Sequence, residues 1–381
     1  MRPDILILAA RFGDGHMRAA KAIAYHLLSQ HDDLSVGLLD YYGFVNPRLD
    51  HTIQWAYLTS VRRVPWLWRW FYVSTQRIDP SSTTQALLNR IGMERFYEAI
   101  RPRPPKVILS TYPTAAGVVS TLKRRRLLDV VNYVVMTDYG VHSQWIHEGV
   151  DRYFVGGDDM VEELKRRGVD PRKVEVTGIP VDDRFSQPAD RVAILRRLGL
   201  SPDRPTVLYM GGSYLPPGRY ERVLKALDRI APPHNLIIVG GRDPARQQAA
   251  EAFARQSRHP TLALGFRSDV HELMAAATIL ITKAGGLTVT EALCRGLPMV
   301  IFRQIPGQED ENARFLARHG AGRIVRREAD LVAVVTTLIN RPDELARMAQ
   351  AARALARPDA AERIARRLRE ALERQWVNAP A

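Results

Sequence analysis

Cysteine, long apolar runs and acidic residues are scarce in this 381-residue sequence, and each shortage narrows what the chain can be. Its one cysteine, Cys294, can form no internal disulfide, and no Cys/His set has zinc-site spacing, so a reduced, cytoplasmic chain without a structural metal is expected. No stretch approaches the roughly 18 consecutive apolar residues that a membrane-spanning helix needs. The longest apolar run near the start, Ile5 to Ala10, is shorter than the core of a secretory signal; a soluble protein is expected, one that at most lies on a membrane. Acidic residues number 41 against 55 Lys and Arg, a net charge of +14, which raises anionic partners: nucleic acid, anionic lipid or a phosphorylated substrate.

Apolar residues, at 46%, suffice to bury a core in each of two or three domains, which excludes a disordered tail or a disulfide-stapled miniature fold. The first forty residues read as strand, glycine loop, helix, strand: Ile5 to Ala10, a break at Arg11 to Gly15, then Ala19, Ala20, Ile23, Ala24, Leu27 and Leu28 at helical spacing, then Val36 to Leu39. Further strand candidates are Val107 to Leu109, Val130 to Met136, Tyr153 to Val155 and Val174 to Val176. A stretch rich in Pro, Gly and Asp, Gly178 to Asp190, reads as a hinge. The pattern then restarts with Thr206 to Met210, Leu236 to Val239, Thr261 to Leu264, Ile279 to Thr282, Met299 to Phe302 and Arg323 to Val325 between helical stretches. The expected class is α/β, with two doubly wound, Rossmann-like domains facing each other, 1–184 and 185–357. An amphipathic helix over 358–381, with Ile364, Leu368 and Leu372 at helical spacing, is expected to pack back on the first domain.

The charge is unevenly placed. Between Phe44 and Arg126 there are fourteen basic and four acidic residues, and four of the six tryptophans, including Trp66, Trp68 and Trp70 beside Phe71 and Tyr72. Cations mixed with aromatics suit an anionic bilayer interface. A core role for the tryptophans and a solvated face for the arginines is the alternative. No RNA- or DNA-binding module accompanies them, so nucleic acid is set aside.

Three glycine loops end apolar strands: Gly13-Asp14-Gly15-His16, Gly211-Gly212-Ser213 and Gly285-Gly286, the last followed by Leu287, Thr288 and Glu291. A strand that delivers glycines to a helix start lets backbone N–H groups approach a phosphate, although each loop taken alone also fits a tight turn. The first loop invites a dinucleotide reading, with Asp40 at the end of the second strand, but Arg18 stands where the third glycine is required. His16 sits in the first helical turn, where the dipole favours a neutral imidazole; it is a candidate general base, or else a capping or packing residue. The densest cluster is Lys283, Gly285, Gly286 and Glu291, followed by Gln308, Glu309 and Asn312. It has the inventory for a diphosphate, a ribose and a sugar. Asp310 and Glu311 there also fit as favourable charge at a helix start.

The segments Gly13-x-Gly15-His16, Thr137-Asp138-x-x-x-His142-x-x-Trp145, Thr177-Gly178-Ile179-Pro180, Gly285-Gly286-Leu287-Thr288-x-Thr290-Glu291-Ala292 and Pro306-Gly307-Gln308-Glu309-x-x-Asn312-Ala313 resemble the monogalactosyldiacylglycerol synthase and processive diacylglycerol glucosyltransferase family, over nearly the whole chain. The resemblance implies a glycosyltransferase B fold. It also implies a UDP-hexose (UDP-glucose or UDP-galactose) donor in the C-terminal domain, diacylglycerol or a related lipid as acceptor at the N-terminal domain, and inversion to a β-glycoside without a cofactor or a required metal. Carried over, His16 is the base or acceptor-orienting histidine, with Asp138 and His142 as the alternative base and its orienting partner, and Glu291 is the ribose-binding acid. Gln308, Glu309 and Asn312 are sugar and phosphate contacts, Phe266 and Arg267 lie at the uracil, and Gly211, Gly212, Ser213, Lys283, Gly285, Gly286, Leu287 and Thr288 complete the donor side. Gly13, Gly15, Trp66, Trp68, Trp70 and Trp145 fall on the acceptor and membrane side.

No Asp-x-Asp, an arrangement by which many metal-dependent glycosyltransferases hold a divalent ion, occurs anywhere. The expected activity is hexosyl transfer to diacylglycerol by an enzyme peripheral on the inner face of the cell membrane. The rivals are N-acetylglucosaminyl transfer to a polyprenyl-linked acceptor and a UDP-sugar epimerase.

Overall fold

All twelve strand candidates form strands in the computed structural model, which describes residues 3–11, 14–29, 34–45, 74, 92–211, 217–302 and 307–377. The described residues divide into two units, one reaching to Asp183 and resuming at Arg357, the other running from Arg184 to Ala356. The first holds β1 (Ile5–Ala9), α1 (Gly15–Ser29), β2 (Val36–Asp40), α2 (Tyr41–Val45), α3 (Met93–Ile100), β3 (Val107–Ser110), α4 (Pro113–Arg124) and β4 (Val131–Val135). It continues with a 3-10 turn (Ser143–Trp145), β5 (Arg152–Val155), α5 (Asp159–Arg166) and β6 (Val174–Val176). The second holds α6 (Arg191–Arg197), β7 (Thr206–Met210), α7 (Pro217–Leu227), β8 (Asn235–Val239), α8 (Pro244–Ala254), β9 (Thr261–Leu264) and α9 (Val270–Ala276). After these come β10 (Ile279–Thr282), α10 (Gly286–Cys294), β11 (Met299–Phe302), α11 (Gln308–Arg318), β12 (Gly322–Val325), α12 (Glu328–Ile339) and α13 (Pro342–Leu355). The last helix, α14 (Ala360–Val377), belongs to the first unit.

Each unit is built on a six-stranded parallel sheet, because its strands are apolar on both faces and helices cover both. In β1, Ile5, Ile7 and Ala9 enter one core with α1 and α14, while Leu6, Leu8 and the following Ala10 enter another with α2, α3 and α4. The final helix places Ile364, Leu368 and Leu372 against Ile23 and Leu27 of α1, and its Arg367 pairs with Glu175 of β6 at 3.0 Å. Gly178 makes the approach to that helix feasible. Its φ is +90°, and a Cβ there would come within 2.4 Å of the Arg357 Cβ.

Strand order positions the functional residues. The first sheet runs β2-β1-β3-β4-β5-β6 and the second β12-β11-β10-β7-β8-β9. In the first, chain order reverses between β1 and β3; in the second, between β7 and β10. At such a point the connections leave toward opposite faces and open a crevice beyond the carboxyl ends of the strands, where α/β proteins bind ligands. The glycine turn before His16 follows β1, Gly211 follows β7, and Lys283 to Gly286 follow β10, so all three loops lie at the two switch points.

Candidate functional site

The β1/β3 switch point presents His16 in the first turn of α1, just after Asp14, a non-glycine residue at φ +55°. Gly13 lies outside the described residues and Gly15 opens the helix. The imidazole Nδ1 is 2.6 Å from the carbonyl of Thr111, the residue after β3, and 3.0 Å from the hydroxyl of Thr137 beyond β4. A carbonyl only accepts, so the proton is on Nδ1 and Nε2 carries the lone pair. Among the described residues Nε2 makes no hydrogen bond. The ring meets Tyr112 edge-on at 5.1 Å, and Trp145 lies at 6.3 Å. Burial pushes the imidazole down to about 4, against a smaller opposing effect of the Thr111 carbonyl. The sequence ascribed its neutrality to the helix dipole; removal from water is the larger cause.

One sequence expectation changes here. Trp145, placed on the acceptor and membrane side, is 4% exposed and packs with Val134, Met136 and Tyr153, so it walls the His16 site, in keeping with the acceptor side, and cannot enter a bilayer. His142, expected as the partner that orients Asp138, is buried and caps the 3-10 turn, its Nδ1 accepting the Gln144 N–H at 3.2 Å. Asp138 is buried beside Thr137 in sequence but does not bond to the His16 ring. Asp40 pairs with Arg11 at 3.1 Å, in keeping with the failed dinucleotide fingerprint.

Part of the basic cluster lies among the described residues. Lys123 pairs with Asp151 and Arg124 with Glu148 at the C-terminal end of α4. That twelve-residue helix leaves the His16 end of the sheet at Pro113 and carries these residues about 18 Å away. Trp66, Trp68 and Trp70 lie outside the described residues.

At the β7/β10 switch point the strand ends are joined by the Thr282 hydroxyl, which donates to the Met210 carbonyl at 3.0 Å. Gly211 is described; Gly212 and Ser213 are not. Gly285 caps α10, whose first N–H groups, from Gly286 to Thr288, have no partner within the helix, an arrangement that can receive an anion with the dipole behind it. Beside it the Lys283 ammonium pairs with the Glu309 carboxylate from α11, and a Cβ on Gly285 would sit 3.3 Å from Lys283 Nζ and 3.9 Å from Glu309 Oε1. Glycine, lysine and glutamate thus converge. Gln308 opens α11 after Gly307, whose φ of +105° suits glycine alone.

Not every acid there faces a ligand. Asp310 accepts the Gly307 N–H at 2.9 Å and Glu311 pairs with Arg314, the helix-start role the sequence allowed. Asn312, expected as a ligand contact, is fully buried and donates to the Ala284 carbonyl at 2.8 Å, tying the glycine turn to α11. In α10, Glu291 is 1% exposed and Leu287 is buried, while Thr288 is half-buried. Arg267 is held by Asp269 in a two-pronged ion pair that raises its own pKa, so its guanidinium is engaged within the loop. Phe266 is exposed, with the Arg242 guanidinium 3.9 Å above its ring. Arg242 was not singled out from the sequence, yet it follows Gly240-Gly241 at the end of β8, a fourth glycine loop at a strand end.

Among the described residues there is no cluster of three or more His, Cys, Asp or Glu able to hold a metal, and no helix long and apolar enough to cross a membrane.

Two Rossmann-like units, one offering a neutral histidine and the other a helix N-terminus with a lysine and acids, have the glycosyltransferase B fold. Comparison with known proteins gives the family. Residues 16–181 match monogalactosyldiacylglycerol (MGDG) synthase and residues 206–364 the glycosyltransferase family 28 C-terminal domain. A processive diacylglycerol beta-glucosyltransferase of Bacillus pumilus is 31% identical over 346 residues, covering 91% of this chain and 89% of that protein. The chain belongs to the monogalactosyldiacylglycerol synthase and processive diacylglycerol β-glucosyltransferase family. The structure of Acinetobacter baumannii MurG is similar, with a TM-score of 0.65 at 18% identity over 97% of this chain and 100% of that one. A UDP-N-acetylglucosamine 2-epimerase gives 0.58 at 14%, over 99% and 96%. At these identities the likeness is one of fold, and the fold alone does not choose between transfer and epimerisation.

Proposed function

We propose that this protein transfers a hexose from a UDP-hexose to the free hydroxyl of diacylglycerol, with inversion, on the cytoplasmic face of a membrane. One observation carries the chemistry: His16 is neutral, its Nδ1–H is engaged, and its Nε2 is left to take a proton. Family membership supports lipid and sugar as substrates. The whole-length relative is named for glucose, which favours UDP-glucose over UDP-galactose.

In this reading the diphosphate lies at the N-terminus of α10, where Lys283 and the helix dipole balance the charge on departing UDP. Glu291 takes the ribose hydroxyls, and Gln308 and Glu309 the hexose. His16 accepts the proton of the lipid hydroxyl as its oxygen attacks the anomeric carbon from the face opposite UDP, through an oxocarbenium-like state.

The test is incubation with diacylglycerol vesicles and radiolabelled UDP-glucose or UDP-galactose, followed by separation of the lipids. Labelled β-glucosyl lipid is expected. A converted nucleotide sugar with no labelled lipid would instead establish an epimerase. Changing Trp66, Trp68 and Trp70 together to Ser should abolish co-sedimentation with phosphatidylglycerol vesicles while UDP still binds; sedimentation equal to the parent would remove the membrane role of these residues.

A further inference from the structure

His16 is gripped by two buried threonines at the ends of the neighbouring strands β3 and β4. The Thr111 hydroxyl lies 3.0 Å from the His16 carbonyl and 3.3 Å from that of Leu8, its N–H donates to Leu8 at 2.9 Å, and its own carbonyl takes the ring proton. Thr137, 3% exposed, adds the second oxygen at Nδ1. Both oxygens are neutral, and among the described residues no carboxylate bonds to the ring. Among the described residues, the titratable groups on the elements around it include Tyr112 after β3, Asp138 and His142 after β4, His147 after the 3-10 turn, and Asp14 and Arg18 at the start of α1. None of these is hydrogen-bonded to the imidazole.

We propose that Thr137 is a positioning residue for the transfer: with the Thr111 carbonyl it holds the His16 ring so that the proton stays on Nδ1 and Nε2 meets the acceptor hydroxyl. This rests on the reading of His16 as the base. As the acceptor oxygen bonds the anomeric carbon, the bond from that carbon to UDP breaks with its electron pair leaving on UDP, and the hydroxyl proton passes to Nε2. The imidazolium so formed has its Nδ1–H shared between two neutral oxygens where many catalytic histidines have an acid. Removal of the Thr137 oxygen leaves one, and the cation is correspondingly harder to form.

The experiment is steady-state kinetics across pH on the full chain, for Thr137→Val, Thr137→Ser and Thr137→Asp, with His16→Ala as reference. Thr137→Val, nearly isosteric, is expected to lower kcat about tenfold to a hundredfold with KM for UDP-hexose unchanged, and Thr137→Ser to restore most of it. Thr137→Asp would put a carboxylate at Nδ1–H and move the acid limb of the rate profile upward by about one pH unit or more. Parental kcat in Thr137→Val, equal losses in the Val and Ser variants, or a folded, active Asp variant with an unmoved limb would each overturn the proposal. Full turnover in His16→Ala would overturn the base assignment and this inference with it. Loss in His16→Ala beside parental kcat in Thr137→Val would overturn this inference alone.

Discussion

At the β1/β3 switch point the reactive ring is surrounded by neutral oxygens and aromatic edges, whereas at the β7/β10 switch point a lysine, a buried glutamate and a helix N-terminus meet at one glycine. Under the proposed function, the difference matches what each place does. A base in a desolvated pocket stays neutral until a proton arrives, and a formal charge beside it would bias that equilibrium. A site for a diphosphate must supply permanent positive charge, and such charge is kept beside a buried carboxylate because neither is tolerable alone away from water. In the proposed function one scaffold, used twice, carries proton transfer in one unit and charge compensation in the other.

The largest expected effect breaks the first half of that comparison. His16→Ala should reduce turnover by about 10² or more while UDP affinity, read by calorimetry, stays at the parental value. A variant that also lost UDP affinity would mean that His16 serves the donor and that the two units do not divide the work. The converse substitution is Glu291→Ala, expected to weaken UDP binding by about 1.5 to 3 kcal/mol. Unchanged affinity would remove Glu291 from the donor site and leave its burial as a purely structural fact.

Acid sharpens the contrast. Burial pushes His16 and His147 in the first unit, and His234 in the second, down to about 4. Unfolded, each titrates near 6.5, so between pH 6.5 and 4 the unfolded chain binds more protons and stability falls as pH falls. Below pH 4 both states are protonated and the dependence from these groups ends. Urea unfolding at pH 7 and pH 5 should therefore show a loss toward acid, and His147→Gln should flatten the slope of the first unit; equal slopes in parent and variant would contradict the burial assigned to His147. Activity has the same sign. The acid limb of kcat/KM should fall near 4, and a limb at 6.5 would show His16 open to water in the working enzyme.

Strands were legible because apolar runs without polar alternation have few other uses, and the loops because Gly13-x-Gly15 and Gly285-Gly286 stand where those runs end. Strand order was not. Thr111 and Thr137 lie 95 and 121 residues from His16, and nothing local says that the ends of β1, β3 and β4 adjoin. The Arg242–Phe266 stack needs β8 and β9 side by side. Trp145 misled for another reason: it ends a three-residue 3-10 turn, Ser143–Trp145, with no helical or strand period to mark which side is buried. Asn312 and His142 carry side chains that suit a ligand and suit a carbonyl or N–H of their own chain equally well, so residue type alone could not separate the two.

The smallest expected effect is the absence of one. If the positive charge of the second unit is the protein's own, supplied by the α10 N-terminus and Lys283, then exhaustive EDTA treatment should leave turnover within about twofold of the untreated enzyme, since no bound ion is then needed to compensate departing UDP. The sequence offers no Asp-x-Asp to hold such an ion on the diphosphate. Lys283→Ala should lower turnover, and magnesium should not restore it, because the lost charge stood at one place beside Gly285. Activity abolished by EDTA and recovered with magnesium or manganese would transfer the charge to a metal, and the contrast between a neutral first site and a self-sufficient cationic second one would fail.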